Sequence, residues 1–169
     1  MLFSICNARE MKGDQMLIDL APVRKGRSTN ARSFSGLMEL YEQNYIRLRN
    51  VAPDLCIADK MISSVPDHHD LYLSITERFK YTTMLRMTYR FEEEGEYLFE
   101  PDLQLKMYHD ARVVEVLQLQ SRRSRSPIFL SDLIEQKWRM NRFLYKWLGY
   151  CLHQGHYFHP MQHLKVSNK

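Results

Sequence analysis

Tyr108, His109, Asp110 and Glu115 form the most compact set of acid–base groups in the sequence. As a catalytic set, it would use His109 as a general base oriented by a neighbouring carboxylate. Adjacent strand residues point to opposite faces, however, so His109 and Asp110 converge only where the chain bends. Asp is also a favoured turn residue, and no nucleophile or glycine-rich anion cradle accompanies the set. We therefore predict a turn-and-packing role, with a functional pocket as the alternative.

A run of histidines near the C-terminus could hold a metal. The run follows a cysteine and comprises Cys151, His153, His156, His159 and His163. Spacing by three on a continuous helix would place such ligands on one face. Gly155 and Pro160 argue against that continuity, so the imidazoles should scatter. We predict no metal and no cofactor, and we expect Cys151 to be an inert buried thiol.

Lys137 and Asn141 are four residues apart, one helical turn, and should face the same way. An Asn inside an apolar stripe usually bonds to backbone across the interface, here the sheet or the chain end. If the protein contacts a ligand or partner, we predict that it does so through Tyr108, His109, Asp110, Lys137 and Asn141.

Two amphipathic helices should flank these residues. The first is predicted over residues 35–49, capped by Ser35, with Pro53 preventing a longer helix. The second resembles a capping box at its start, with Asp132 followed by Glu135, and it should end at the left-handed Gly155. Its apolar stripe consists of Met140, Phe143, Leu144, Trp147, Leu148, Cys151 and Leu152.

Between the helices, the hydrophobic period changes to two. Alternation predicts four strands, near residues 71–76, 85–91, 103–107 and 113–117. Tyr81-Thr82-Thr83 should join the first pair, residues 93–96 the second to the third, and His109-Asp110 the last pair. One apolar and one polar face is typical of an antiparallel sheet covered on one side. We predict an α+β fold, a four-stranded antiparallel sheet packed with an N-terminal and a C-terminal helix.

Several short motifs resemble those of a known family. In order, they are Asn44-Tyr45, Tyr81-Thr82-Thr83, Tyr108-His109-Asp110-Ala111, Glu115-Val116, Lys137, Asn141, Phe143-Leu144, Trp147-Leu148, Cys151-Leu152 and Gly155. Their order and spacing are similar to those of the YqiB-like family, small proteobacterial proteins classed as a domain of unknown function. The resemblance runs from about residue 44 to 155 and implies no activity. Relatives carry Tyr-Pro-Asn before the last helix, where this chain has Ser126-Pro127-Ile128.

The length of 169 residues fits one domain, which we place at residues 34–160. Residues 1–33 read as a weakly structured leader and 161–169 as a tail, and we expect residues 1–15 to be an extension. The three cysteines are an odd number without a CxxC pair, which suits a reducing compartment, so we predict a cytoplasmic protein. No apolar run is long enough for a membrane span.

The net charge of +4 is unevenly distributed. Residues 1–35 carry six basic and three acidic residues, and a second basic run, Arg122-Arg123-Ser124-Arg125, lies in a predicted loop. Such segments can contact phosphates, but no aromatic residues interleave with them as single-strand binders require. Weak nucleic-acid binding through these segments is therefore a disfavoured alternative.

Taken together, these patterns favour a non-enzymatic binding or adaptor module with an unidentified protein partner. The alternative is a small-molecule binding protein, nucleotides included, with a site at the His109 corner supported by Lys137 or Arg123. The sequence makes no prediction of oligomeric state.

Overall fold

A computed structural model describes residues 33–55, 58–93, 95–120 and 133–158. Asp132, the basic run at residues 122–125, the tail at 161–169 and all of the predicted leader except Ser33 lie outside the described residues. The described residues form two helices and five strands, and the two helices make one layer that packs on one antiparallel sheet.

The sheet has five strands, so the prediction of four was wrong by one. In chain order they are β1 (Lys60–Ser63), β2 (Leu71–Arg78), β3 (Thr82–Glu93), β4 (Glu96–Tyr108) and β5 (Val113–Gln120). Each strand pairs antiparallel with the next, giving the order β1-β2-β3-β4-β5. The missed strand, β1, has only four residues, of which Met61 and Ser63 are buried. Two alternations are too few to distinguish a strand from a loop.

The predicted connections agree with the structure at two of three places. The β3–β4 turn contains Gly95 at φ +81°, and residues 109–112 join β4 to β5. The connection predicted at Tyr81-Thr82-Thr83 was partly wrong, because Thr82 and Thr83 already belong to β3. There the turn is made by residues 79–81, and the Phe79 N–H donates to the Thr82 carbonyl at 2.8 Å.

Helix α1 spans Phe34–Val51, and its N-cap is Ser33 rather than the predicted Ser35. Ser33 has extended dihedral angles, φ −81° and ψ 159°, and its Oγ accepts from the Gly36 N–H at 3.2 Å. An N-cap needs this non-helical conformation, whereas Ser35 already lies inside the helix.

Helix α2 spans Leu133–His153 and ends as the sequence predicts. Gly155 takes φ +87°, its N–H donates to the Leu152 carbonyl at 3.0 Å, and the His156 N–H donates to the Cys151 carbonyl at 2.9 Å. These two bonds form a Schellman motif, which satisfies carbonyls that the helix leaves free. The chain then returns to α1, where the Phe158 N–H donates to the Val51 carbonyl at 2.8 Å.

Both helices cover the same face of the sheet, and the core lies between the helices and that face. Trp147 of α2 is 1% exposed, and its ring meets that of Tyr89 edge-on with centroids 5.5 Å apart. Alternating residues of β2 to β5 pack around this pair, among them Leu71, Leu73, Leu85, Met87, Leu103, Leu105, Met107, Val114 and Val116. The residues between them, such as Tyr72, consequently point to the opposite face.

We predict that Trp147→Ala lowers the free energy of unfolding by about 3–5 kcal/mol, because it removes the largest buried side chain and leaves a cavity. Urea denaturation measures this loss. Phe34→Ala is the control, since Phe34 is 67% exposed and its truncation should cost less than about 0.5 kcal/mol. Equal losses in the two variants would contradict the packing described here.

Candidate functional site

Lys137 and Asn141 of α2 meet the outer edge of β5. Asn141 Oδ1 accepts from the Val116 N–H at 3.0 Å, and Lys137 Nζ donates to the Val116 carbonyl at 3.3 Å. Among the described strands, β5 pairs with β4 alone, so its other edge would leave such groups unpaired. Two side chains one helical turn apart therefore satisfy both backbone groups of one edge residue. The prediction that Asn141 bonds to backbone across the interface is confirmed.

Asn44 joins the first helix to this arrangement. Its Nδ2 lies 3.2 Å from the Asn141 carbonyl and 3.4 Å from Asn141 Oδ1, and both asparagines are fully buried. Asn141 Nδ2 in turn donates to the Lys137 carbonyl at 2.8 Å. One buried amide thus connects α1, α2 and β5.

Glu115 is the carboxylate at the centre of the polar set. Its Oε1 accepts from the Tyr108 hydroxyl at 2.9 Å, and its Oε2 accepts from Lys137 Nζ at 3.0 Å. Burial and the bond to Glu115 both raise the pKa of Tyr108. Burial, followed by the charge of Glu115, raises the pKa of Tyr41 to about 12. Both phenols therefore stay protonated at neutral pH, and that of Tyr108 remains a donor to Glu115.

His109 and Asp110 lie in the turn and bond locally. His109 Nε2 lies 2.8 Å from Thr83 Oγ1, and the His109 N–H donates to the Tyr81 carbonyl at 2.9 Å. Asp110 Oδ1 accepts from the Ala111 N–H at 2.9 Å. No hydrogen bond within the described part links either residue to the Glu115 set.

Of the five residues predicted for ligand contact, the structure brings three together, Tyr108, Lys137 and Asn141. His109 and Asp110 occupy the turn beside them. A nucleotide site at the His109 corner would draw on Lys137, whose ammonium already contacts Glu115. Ligand contact by these residues stays a prediction.

A second polar cluster lies at the C-terminal end of α2. The Tyr89 hydroxyl donates to Gln154 Oε1 at 3.1 Å and lies 3.2 Å from Cys151 Sγ. His156 Nδ1 lies 3.2 Å from Ser63 Oγ, which also accepts from the Tyr157 N–H at 3.0 Å. Sequence reasoning missed this cluster because its partners come from distant segments and follow no motif. The one feature visible in the sequence was His156, directly after the helix-ending Gly155.

Burial dominates the chemistry of that cluster. It raises the pKa of the free Cys151 thiol to about 12, which keeps the thiol protonated and unreactive, as expected. It raises the pKa of Tyr89 as well. His156 is 1% exposed, and burial lowers its pKa. The ring is therefore neutral at physiological pH.

The histidine run is dispersed where the structure describes it. His153 is exposed in the last turn of α2, whereas His156 is buried, and His159 and His163 lie outside the described residues. Among the described residues, no group of three His, Cys, Asp or Glu side chains could hold a metal ion. Nor does either described helix combine the length and apolarity needed to cross a bilayer.

Comparison with known proteins gives the same family that the motifs suggest. The family model described as "Protein of unknown function (DUF1249)" matches residues 47–157, which include α1 from Arg47, all five strands and α2. The chain belongs to this family.

The curated relatives of this DUF1249 chain include the uncharacterized protein YqiB of Escherichia coli strain K12. The two are 29% identical over 127 residues, covering 72% of this chain and 90% of the relative. The YqiB proteins of E. coli O6:H1 and O157:H7 match equally well. No solved structure matches the chain.

We predict that Asn141→Ala lowers the free energy of unfolding by about 1–3 kcal/mol. The substitution leaves the buried Val116 N–H without its partner and removes the longer contact, 3.4 Å, from the Asn44 amide to Asn141 Oδ1. Chemical denaturation measures the loss, with Asn50→Ala at the exposed end of α1 as the control. A loss no larger than that of the control would show that the amide does not join the three elements.

We predict that acid destabilises the protein through His156. Its pKa is lower in the folded state than the ordinary 6.5, so the unfolded chain takes up the proton first. This contribution to stability is therefore complete above about pH 6.5 and is lost as the pH falls through the lowered folded value. His156→Asn should flatten the dependence of the urea midpoint on pH between neutral and mildly acidic buffer. His153→Asn, at an exposed ring, should leave it unchanged, and parallel curves for wild type and His156→Asn would refute the assignment.

Proposed function

We propose that the protein is a non-enzymatic binding module of the cytoplasm that engages a protein partner through the exposed face of its sheet. Both helices cover the other face, so this face presents side chains that the core does not use. The observation that carries the proposal is a group of aromatic and arginine residues there. We name it the aromatic–arginine surface, and it comprises Tyr72, Arg86, Arg90, Tyr97 and Phe99.

The surface is held in place by stacking and by one ion pair. The Arg90 guanidinium lies 4.8 Å from the Tyr72 ring centroid and 4.7 Å from that of Tyr97. Arg86 lies 5.7 Å from the Phe99 centroid. Asp102 accepts two hydrogen bonds from Arg86, each 2.6 Å long, in a bidentate pair. Such contacts order the long side chains before any partner arrives.

This composition supports a protein partner. Tyr and Arg are enriched among the residues that dominate binding energy at protein interfaces. Tyr97 is 56% exposed and Phe99 is 49% exposed, two residues apart on one strand, so both rings lie on the same face. Because the arginines are already ordered, binding costs less side-chain entropy. A phosphate ligand suits the surface less well, since Arg86 is neutralised by Asp102.

The non-enzymatic part of the proposal draws on the Glu115 set. Its acid–base groups bond to one another, and Lys137 and Asn141 also bond to the β5 backbone. The cytoplasmic part draws on the free, buried Cys151 together with the odd cysteine count of the sequence.

Affinity capture from the native lysate, compared between paired variants, tests the proposal. A protein recovered with the wild-type chain should be depleted by Tyr97→Ser with Phe99→Ser, about tenfold for each 1.4 kcal/mol lost. The matched control is Phe34→Ser with Ile46→Ser, which removes two exposed apolar side chains from α1. Recovery that depends equally on both pairs, or on neither, would count against the sheet face as the binding surface.

A further inference from the structure

The outward side of α2 carries a line of cations. Arg139, Arg142 and Lys146 stand at steps of three and four residues, so they project from one side, opposite the buried Leu144 and Leu148. With a rise of 1.5 Å per residue, the line is about 10 Å long. Arg139 and Arg142 are exposed, and within the described part of the chain none of the three pairs with a carboxylate.

Arg47 adds a fourth cation from α1. Its guanidinium stacks on the Tyr145 ring at 3.5 Å from the centroid, and its Nη1 donates to the Tyr145 carbonyl at 2.8 Å. Tyr145 is adjacent to Lys146 in the chain and three residues from Arg142. A stacked guanidinium is rigid and keeps further N–H groups for an acceptor.

Arg142 and Lys146 lie close enough to repel one another. Burial, followed by the positive charge of Arg142, lowers the pKa of Lys146. An anion bound between them would relieve that repulsion, because it lowers the energy of both charged forms. Glu135 lies one turn before Arg139, at the N-terminal side of the line of cations. The region that attracts an anion therefore extends towards the C-terminal half of α2.

We propose that Arg47, Arg139, Arg142 and Lys146, the basic helix surface, bind the phosphodiester backbone of a nucleic acid. A line of separate cations on a rigid rod matches a ligand with regularly repeated negative charges, and such contacts carry no base sequence information. The net charge of +4 and the pI of about 9.0 favour the same encounter. This surface is distinct from the aromatic–arginine surface, so the two proposals stand independently.

Fluorescence anisotropy on the full chain tests the inference, with a labelled oligothymidylate longer than about 16 nucleotides and a duplex of the same length. For the duplex, the logarithm of the affinity should fall with the logarithm of salt concentration at a slope of about −3.6 for four contacts. Arg142→Gln with Lys146→Gln should make that slope shallower by about two. The matched control, Lys60→Gln with Lys80→Gln, removes the same charge from exposed positions in β1 and in the β2–β3 turn and should leave the slope unchanged.

Three results would overturn the inference. They are an absence of binding at low salt, an equal effect of the control pair, and displacement by polyglutamate at the same concentration of charge. The last result would identify an acidic protein as the occupant instead. Thermal melting checks that the variants fold, and surface changes of this kind should leave the melting temperature nearly unchanged. If the pair does melt early, Arg139→Gln alone should make the slope shallower by about one.

Discussion

The hydrogen bond between the Val116 N–H and Asn141 holds the helices on the edge of the sheet. The outer edge of a sheet carries unpaired backbone N–H and C=O groups, which must be paired or covered. Here a helix side chain takes the place of a further strand, and the same residue accepts from Asn44 on the other helix. Buried polar groups need partners, so the positions of α1, α2 and β5 are determined together rather than one at a time.

Local pattern predicted the parts of the fold that repeat. Alternation identified β2 to β5, and the apolar stripe with Gly155 identified α2 and its end. It did not identify β1, because four residues hold too little alternation. The cap of α1 was misplaced by two residues, since Ser33 and Ser35 have the same chemistry and only the backbone angles distinguish them.

For the candidate site, spacing was informative on one element and uninformative between elements. It placed Lys137 and Asn141 on one face and assigned Asn141 a backbone partner, as observed. It did not show that Glu115 would accept hydrogen bonds from both Tyr108 and Lys137. Contacts such as Tyr89 with Gln154 join residues 65 positions apart, and no local rule predicts which distant segments meet. The spacing of Arg139, Arg142 and Lys146 on the predicted second helix already puts them on one side, whereas the position of Arg47 beside them needed the structure.

The return of the chain from α2 to α1 has a consequence for biosynthesis. The first helix bonds to residues far along the chain, 97 positions later through Asn141 and through the bond from Phe158 to Val51. A ribosome releases the amino-terminal part of a domain first, and contacts of large sequence separation form late. The emerging first helix therefore lacks these partners until α2 and residue 158 have left the exit tunnel, although β5 can already pack against it. A fragment truncated before α2 would leave the α2-facing side of the first helix exposed and make the fragment a target for chaperones and proteases.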